Sequence, residues 1–361
     1  LLRFLTLCCI VLYFLILLAA HLLPEGISDY NAYVLLCMCA AYVLLIRSAD
    51  VYISSFVCCL ALCAVSLLRA PLYTFIDCAL IFFIFGSLHI GLFFPVKKRE
   101  LRFLKYGFFF VYLLSLLGIL NPSLYRGEGD ELRYEGLFHA INFSASVFAM
   151  LGIAVWEIEK TSRKNTAILL ILVAGLLIYI WATSTRSLLF ALPYWLFQLF
   201  RRCNKTVLVT GLVVVGIFFL PLVVDTISSK LRLEENESSM ATRSMLYLRL
   251  LSGIMDNYAI IPHGSHSATD MIVRFTGDSR FSPHNDFLTF IYDWGVIFYV
   301  FCAMIITRLR RRTRFSLEFC LILLTLVSCA LHNMMFAIYI WIPFAIILMV
   351  RRNENNVTQV R

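Results

Sequence analysis

The chain is predicted to be an all-α polytopic membrane protein of about 12 transmembrane helices, with one large polar loop set among them. Three observations predict this class. Composition is the first: 61% of residues are hydrophobic, 15% are charged and the mean hydropathy is +0.85, whereas a soluble domain is about 45–50% apolar and about 25% charged. The second is that the apolar residues fall in runs near the length a helix needs to cross about 30 Å of hydrocarbon. So many runs exclude a secreted protein behind a single cleaved signal. The third is the concentration of Lys and Arg in alternate loops, the mark of cytoplasmic connections.

The runs lie near 4–23, 31–46, 51–68, 72–94, 104–120, 137–156, 166–183, 187–200, 206–225, 286–307, 315–333 and 334–350. Helices are the open-ended way to satisfy backbone groups in lipid, and the pattern lacks the alternation of a barrel strand. The first residue is Leu1 and not Met, which leaves room for native residues ahead of it. Residues 1–361 are expected to form a single integral-membrane domain, with the large loop, 226–285, inside it.

Twenty-one of the 31 Lys and Arg residues fall in one set of alternating loops. Both termini and those basic loops are therefore expected on the cytoplasmic side, and the large loop outside. The net charge of +9 is then a topology signal, and no nucleic-acid-binding motif accompanies it. Eleven of the 12 cysteines lie in apolar runs and Cys203 in a basic loop. They read as small buried hydrophobes, without the spacing of a disulfide framework or a metal site. Walker, dinucleotide-binding and H-E-x-x-H motifs are missing, so no cofactor and no metal is expected.

Outside the membrane, 24–30 and 69–71 are short connectors, 121–136 is a charged loop containing glycines, and Thr183-Ser184-Thr185-Arg186 is a tight turn between two apolar runs. Arg186 lies at the interface, where it reads either as a snorkelling anchor or as an anion clamp helped by the N-terminus of the next helix. An Arg deeper in the helix would cost about 2.5–3.5 kcal/mol, which is why such residues tend to be functional. Arg243 opens an expected helix near 240–257, capped by Ser238 or Ser239. It shares a face with Tyr247, Leu250 and Ile254, while Arg249 shares a solvated stripe with Ser252 and Asp256. His284, in Ser282-Pro283-His284-Asn285-Asp286, reads either as a hydrogen-bonded loop residue or as a proton acceptor. His263 and His266 are too weak a pattern for a metal, and His332-Asn333 is a weaker polar pair still. Asp77 is expected near mid-membrane with a buried partner.

Four stretches in order resemble the O-antigen polymerase and O-antigen ligase superfamily. Thr183-Ser184-Thr185-Arg186 resembles its external arginine turn. Thr242-Arg243-x-x-x-Tyr247, running on to Pro262-His263-Gly264, resembles its Arg-x-x-x-aromatic helix and proline–glycine turn. Pro283-His284-Asn285-Asp286-Phe287-Leu288 with Trp294-Gly295 resembles its His-Asn-x-x-Leu…Gly signature, and Arg133-Tyr134-Glu135-Gly136 with Asn142 its weaker Arg-x-x-Gly…Asn element. Two departures stand out: His263 replaces a small or apolar residue, and Ala140-Ile141 replaces a proline. The resemblance covers about 130–300 and implies a glycosyltransferase of the bacterial inner membrane, using undecaprenyl-diphosphate-linked saccharides at the periplasmic face. Arg186, Arg243 and His284 would be catalytic. Arg133, Arg249, Arg280, Asn285 and Tyr247 would bind substrate, and a chain-length regulator protein is a possible partner. A polymerase, extending a lipid-linked repeat unit, is preferred to a ligase that transfers the glycan to lipid A–core. A transporter is the rival outside this chemistry, and it would want paired charges or broken helices at the midplane.

Overall fold

The computed structural model describes residues 49–94, 96–128, 131–136, 141–160, 166–183, 185–202, 237–256, 260–277, 285–330 and 338–359. The expected runs at 4–23, 31–46 and 206–225 lie outside them, as do Arg280, His284 and His332. Among the described residues there are 12 α-helices and one two-stranded sheet. They are α1 Ala49–Ser66, α2 Pro71–Phe93, α3 Lys98–Leu117, α4 Ile141–Glu159, α5 Thr166–Thr183, α6 Leu192–Arg202, α7 Glu237–Asp256, α8 Ser267–Thr276, α9 Asp286–Trp294, α10 Val296–Arg312, α11 Leu317–Ala330 and α12 Ile338–Gln359. Among the described residues, three stretches are long and apolar enough to cross a membrane: Pro71–Phe93, Lys98–Leu120 and Thr166–Thr183. Asp50–Ser66 and Leu317–Ser328 are apolar but shorter.

Three expectations change. The loop at 121–136 is no plain loop: Tyr125–Glu128 (β1) pairs antiparallel with Glu131–Tyr134 (β2), Arg126 opposite Arg133. The segment 187–200 is divided, because Pro193 lacks an N–H and cannot be reached by a continuous helix. Residues Arg186–Ala191 wind instead as a 3-10 helix ahead of α6. The segment 286–307 breaks at Gly295, whose φ of 51° and ψ of −125° no helix contains. A Cβ there would stand 2.3 Å from the Ile260 carbonyl oxygen, so a close backbone neighbour excludes any other residue.

The core is apolar and runs the length of the bundle, with α12 at its centre. Every residue from Ile340 to Val350 is buried, against α2 and α4. Gly91 lets α2 come close, since a Cβ would lie 2.7 Å from the Ala345 carbonyl oxygen. Large apolar side chains stay exposed on α1 (Ile53, Phe56, Leu60), α3 (Phe103, Phe110) and α5 (Leu170, Leu177, Ile178, Trp181). Contiguous apolar surface of that kind marks a face that something apolar covers.

Helix direction alternates, and the charges sort accordingly. At one end Glu157 and Glu318 meet Arg351 and Lys160. Arg351 Nη2 lies 3.0 Å from Glu318 Oε2, and Lys160 Nζ 2.8 Å from Glu157 Oε2. Arg351 Nε sits 2.9 Å from Glu157 Oε2 but off the hydrogen-bond line. Tyr194 Oη donates to Glu157 Oε1 at 2.7 Å, Gln198 Nε2 to Glu318 Oε1 at 2.5 Å, and Lys105 pairs with Glu159 at 2.7 Å. One layer thus binds α3, α4, α6, α11 and α12. At the other end lie the hairpin and the turn 260–266. Arg351→Ala leaves the fully buried Glu157 short of its closest guanidinium, a loss of about 3–5 kcal/mol. Thermal unfolding in detergent should register it, and adding Glu157→Gln should restore part of the loss.

Candidate functional site

The first assembly of interest forms around the arginine turn. Arg133, on β2, donates from Nε (3.2 Å) and Nη2 (3.0 Å) to the carbonyl oxygen of Thr183, the last residue of α5. This carbonyl has no partner within its own helix, and a guanidinium fork reaches it from another element. Thr185 follows, buried and extended, and Arg186 opens the 3-10 helix. Residues 50 positions apart in sequence, Arg133 and the arginine turn, are therefore one structural unit. The 3-10 segment Arg186–Ala191 runs directly into α6, so Arg186 stands at the start of one helical stretch.

A column of rings carries this unit. Tyr112 stacks on Phe148 at 4.0 Å, Phe148 on Tyr179 at 4.0 Å, and Tyr179 meets Tyr134 edge-on at 5.6 Å. Tyr134 Oη donates to the Ser115 carbonyl oxygen at 2.9 Å, and burial pushes its phenol up from the ordinary range. The chain then turns at Gly136 with φ of 74°. A Cβ would lie 2.3 Å from Ser144 Cβ and 2.5 Å from Tyr179 Oη. The glycine of the Arg-x-x-Gly element is thus demanded by the close approach of α4 and α5.

The second assembly is α7, α8 and α9. Leu246, Leu250, Ala268 and Ile272 are buried together, with Leu288 and Tyr292 against them. Arg243 and Tyr247 belong to the helix that packs on α9. The helix begins earlier than expected, so Ser238 and Ser239 lie within it and do not cap it. Arg249, Ser252 and Asp256 are exposed, the stripe expected for them, and the Arg249 guanidinium lies over the Phe275 ring at 5.6 Å. Asn285 caps α9: its Oδ1 accepts from Leu288 N at 3.2 Å.

This assembly is tied down through the turn 260–266. Val296 N donates to the Ile260 carbonyl oxygen at 2.8 Å and Gly264 N to that of Asp293 at 2.8 Å. Asp293 accepts from Ala268 N at 2.7 Å and from His266 N at 3.1 Å, capping α8 from a distant element. His263 stacks on Tyr292 at 4.0 Å and His266 on Tyr73 at 3.8 Å, so both imidazoles serve packing. Asp77 is not mid-helix: it lies within two turns of the start of α2, takes Trp294 Nε1 at 3.1 Å, and is hydrogen-bonded to Ser265. Its role is to hold the turn. Asp77, Asp293 and Tyr292 were not expected as a junction; Asp-Trp-Gly at a helix break was the available signal.

Thus Arg133 and the Arg186 turn come together, and the Arg243 helix meets the Asn285 helix. The first unit packs chiefly on α4, α5 and α11, the second on α1, α2 and α10. No protein-family model, curated protein or solved structure matches the chain.

Gly136→Ala should cost on the order of 2–5 kcal/mol, from the left-handed backbone and the clash together. Faster proteolysis of the hairpin and a lower melting temperature in detergent would register it. Asp293 lies on a nine-residue helix, too short to span. Burial pushes its carboxyl up, against the pull of the two backbone donors, with Asp77 and Asp270 adding to the rise. The unfolded chain then releases this proton at lower pH than the folded one. Its stabilisation is complete below the ordinary carboxylate range and fades as pH rises through the raised value. Asp293→Asn should flatten that part of the melting-temperature profile, from the ordinary carboxylate range at about pH 4 upward.

Proposed function

We propose that the chain is an inner-membrane glycosyltransferase of O-antigen polymerase type. It would extend a lipid-linked repeat unit with an undecaprenyl-diphosphate-linked glycan at the periplasmic face. In this reading the apolar runs cross the bilayer, the tenth of them from Gly295 onward, both termini are cytoplasmic, and the layer with the hairpin and the turn 260–266 faces the periplasm.

One observation carries the reading: Arg133 of the Arg-x-x-Gly element grips the carbonyl that ends α5, beside the arginine turn. Two of the four resembling motifs, read separately in sequence, are therefore one unit. It sits at the opposite end of the bundle from the basic helix ends, as a periplasmic site requires. The exposed apolar faces of α1, α3 and α5 suit lipid.

In the mechanism, Arg186 and Arg243 hold the diphosphate, where a planar guanidinium binds two oxygens at once. The acceptor hydroxyl attacks the anomeric carbon opposite the leaving group. A new glycosidic bond forms, the sugar–phosphate bond breaks, and undecaprenyl diphosphate departs with its developing charge on the guanidinium groups. His284 takes or orients the hydroxyl proton. The anomeric centre inverts. Arg133 positions the Arg186 turn, and Asn285, Tyr247, Arg249 and Arg280 are assigned to saccharide binding.

The cluster of Glu157, Glu318, Arg351 and Lys160 bears on the transporter reading. Glu157, Lys160 and Glu318 sit at or beside helix ends and Arg351 meets them there, away from the midplane where a transport site is expected.

Arg186→Ala and Arg243→Ala should each abolish long polysaccharide in cells while protein level stays normal. Full-length product from either removes that residue from the mechanism. Deleting the gene should leave single-repeat caps on the lipopolysaccharide; bare core with accumulated lipid-linked polymer would identify a ligase instead.

A further inference from the structure

The charged end of the bundle holds a second feature, independent of glycosyl transfer. Between α1, α2 and the C-terminal half of α10 lies a cavity of about 670 Å³, within the range of small-ligand sites. Arg308, Arg311 and Arg312 line it, with His89 and Asp50. Three guanidinium groups thus face one carboxylate among the described residues. The remaining walls are apolar, with Ile53, Phe93 and Val300 among them.

Basic residues at a helix end ordinarily snorkel outward as a topology signal. Two of these are pinned. Arg308 is half-buried, its Nη2 donates to the Asp50 carbonyl oxygen at 3.1 Å and to Ser54 Oγ, and its guanidinium lies 4.6 Å over the Phe85 ring. Arg312 lies 4.7 Å over the ring of Phe93, and Phe93 stacks on His89 at 4.7 Å. Arg308 and Arg312 are therefore preorganised along the cavity, with Arg311 exposed at its rim. Fixed cations beside an apolar trough suit a ligand with a phosphate at one end and hydrocarbon at the other. Ile53 and Val300, 61% and 44% exposed, carry the trough outward to the apolar face of the bundle.

We propose that this cavity binds one anionic membrane phospholipid, its phosphate between Arg308, Arg311 and Arg312 and an acyl chain along Ile53, Phe93 and Val300. The lipid comes from the leaflet at the basic end of α10, the cytoplasmic one in the orientation given above. Charge complementarity selects this occupant. A soluble phosphate would use the guanidinium groups but leave the apolar wall wet, and a zwitterionic lipid would set its own ammonium against three cations.

The test uses the full purified chain in zwitterionic detergent micelles, titrated with phosphatidylglycerol, with phosphatidylcholine or with inorganic phosphate, and read by native mass spectrometry. Phosphatidylglycerol should be retained in preference to phosphatidylcholine. The double change Arg311→Ala with Arg312→Ala should weaken its retention roughly tenfold to thirtyfold, and Arg311→Lys with Arg312→Lys should recover part of it. Both positions are exposed, so the melting temperature should hold. Val300→Trp, which fills the trough without touching charge, should weaken phosphatidylglycerol as well. Equal retention of the two lipids, or undiminished phosphatidylglycerol binding by both the double variant and Val300→Trp, would overturn the proposal. Displacement of the lipid by inorganic phosphate at comparable concentration would make this a soluble-anion site and also overturn it. Neither result bears on glycan polymerisation, which this cavity does not enter.

Discussion

Glu157 has no exposed surface, and its carboxylate is met by Arg351, Lys160 and Tyr194 from three different parts of the chain. A carboxylate in such a place is tolerated only if its partners arrive together. That requirement sets the register of α4, α6 and α12 at one end of the bundle. With those helices fixed, their other ends come to set depths, and there the hairpin and the turn 260–266 must find seats. The seats are made by glycines: Gly136 against α4 and α5, Gly264 against Ser66, and Gly295 against Ile260. Charge fixes one end and steric necessity the other.

This division explains what the polar layer is built for. Arg133 does not reach toward solvent; it satisfies a helix-terminal carbonyl and so stiffens the start of the segment that carries Arg186. Asp293 and Asn285 spend their side chains on helix ends. Much of the polar chemistry in this layer supports the backbone of the elements that carry the proposed phosphate ligands. Such support is what a site needs when it must present cations without reorganising as charge develops.

Much of the helical framework was legible because apolar runs report helices directly. The run at 166–183 reappears with the same bounds as α5, and the edges of α1, α2 and α11 shift by a few residues. Elements made by tertiary contact were not legible. The hairpin at 125–134 has four-residue strands without clean alternation, and its pairing depends on Tyr134 docking among rings from distant helices. The break at Gly295 lies inside a run that stays apolar, so hydropathy passes over it, and only the contact with Ile260 shows why the helix must stop. The apolar run alone sets Asp77 at mid-membrane, while its partners Trp294 and Ser265 lie more than 180 residues away in sequence. Of the site, the resemblance gave Arg133 as a substrate-binding residue, and its grip on the carbonyl that ends α5 was not legible. Arg280 and His284 fall outside the described residues.

The central claim is that guanidinium groups in the polar layer activate a prenyl diphosphate as leaving group. Its most direct measurement is a reconstitution: purified protein in vesicles, a synthetic undecaprenyl-diphosphate-linked repeat unit as the only sugar substrate, chelator present, and no ion gradient. The account predicts a ladder of lengthened lipid-linked glycan, with inverted anomeric configuration at each new linkage. Repeat units that cross the vesicle membrane without growing, or that stay unchanged in length, would contradict it.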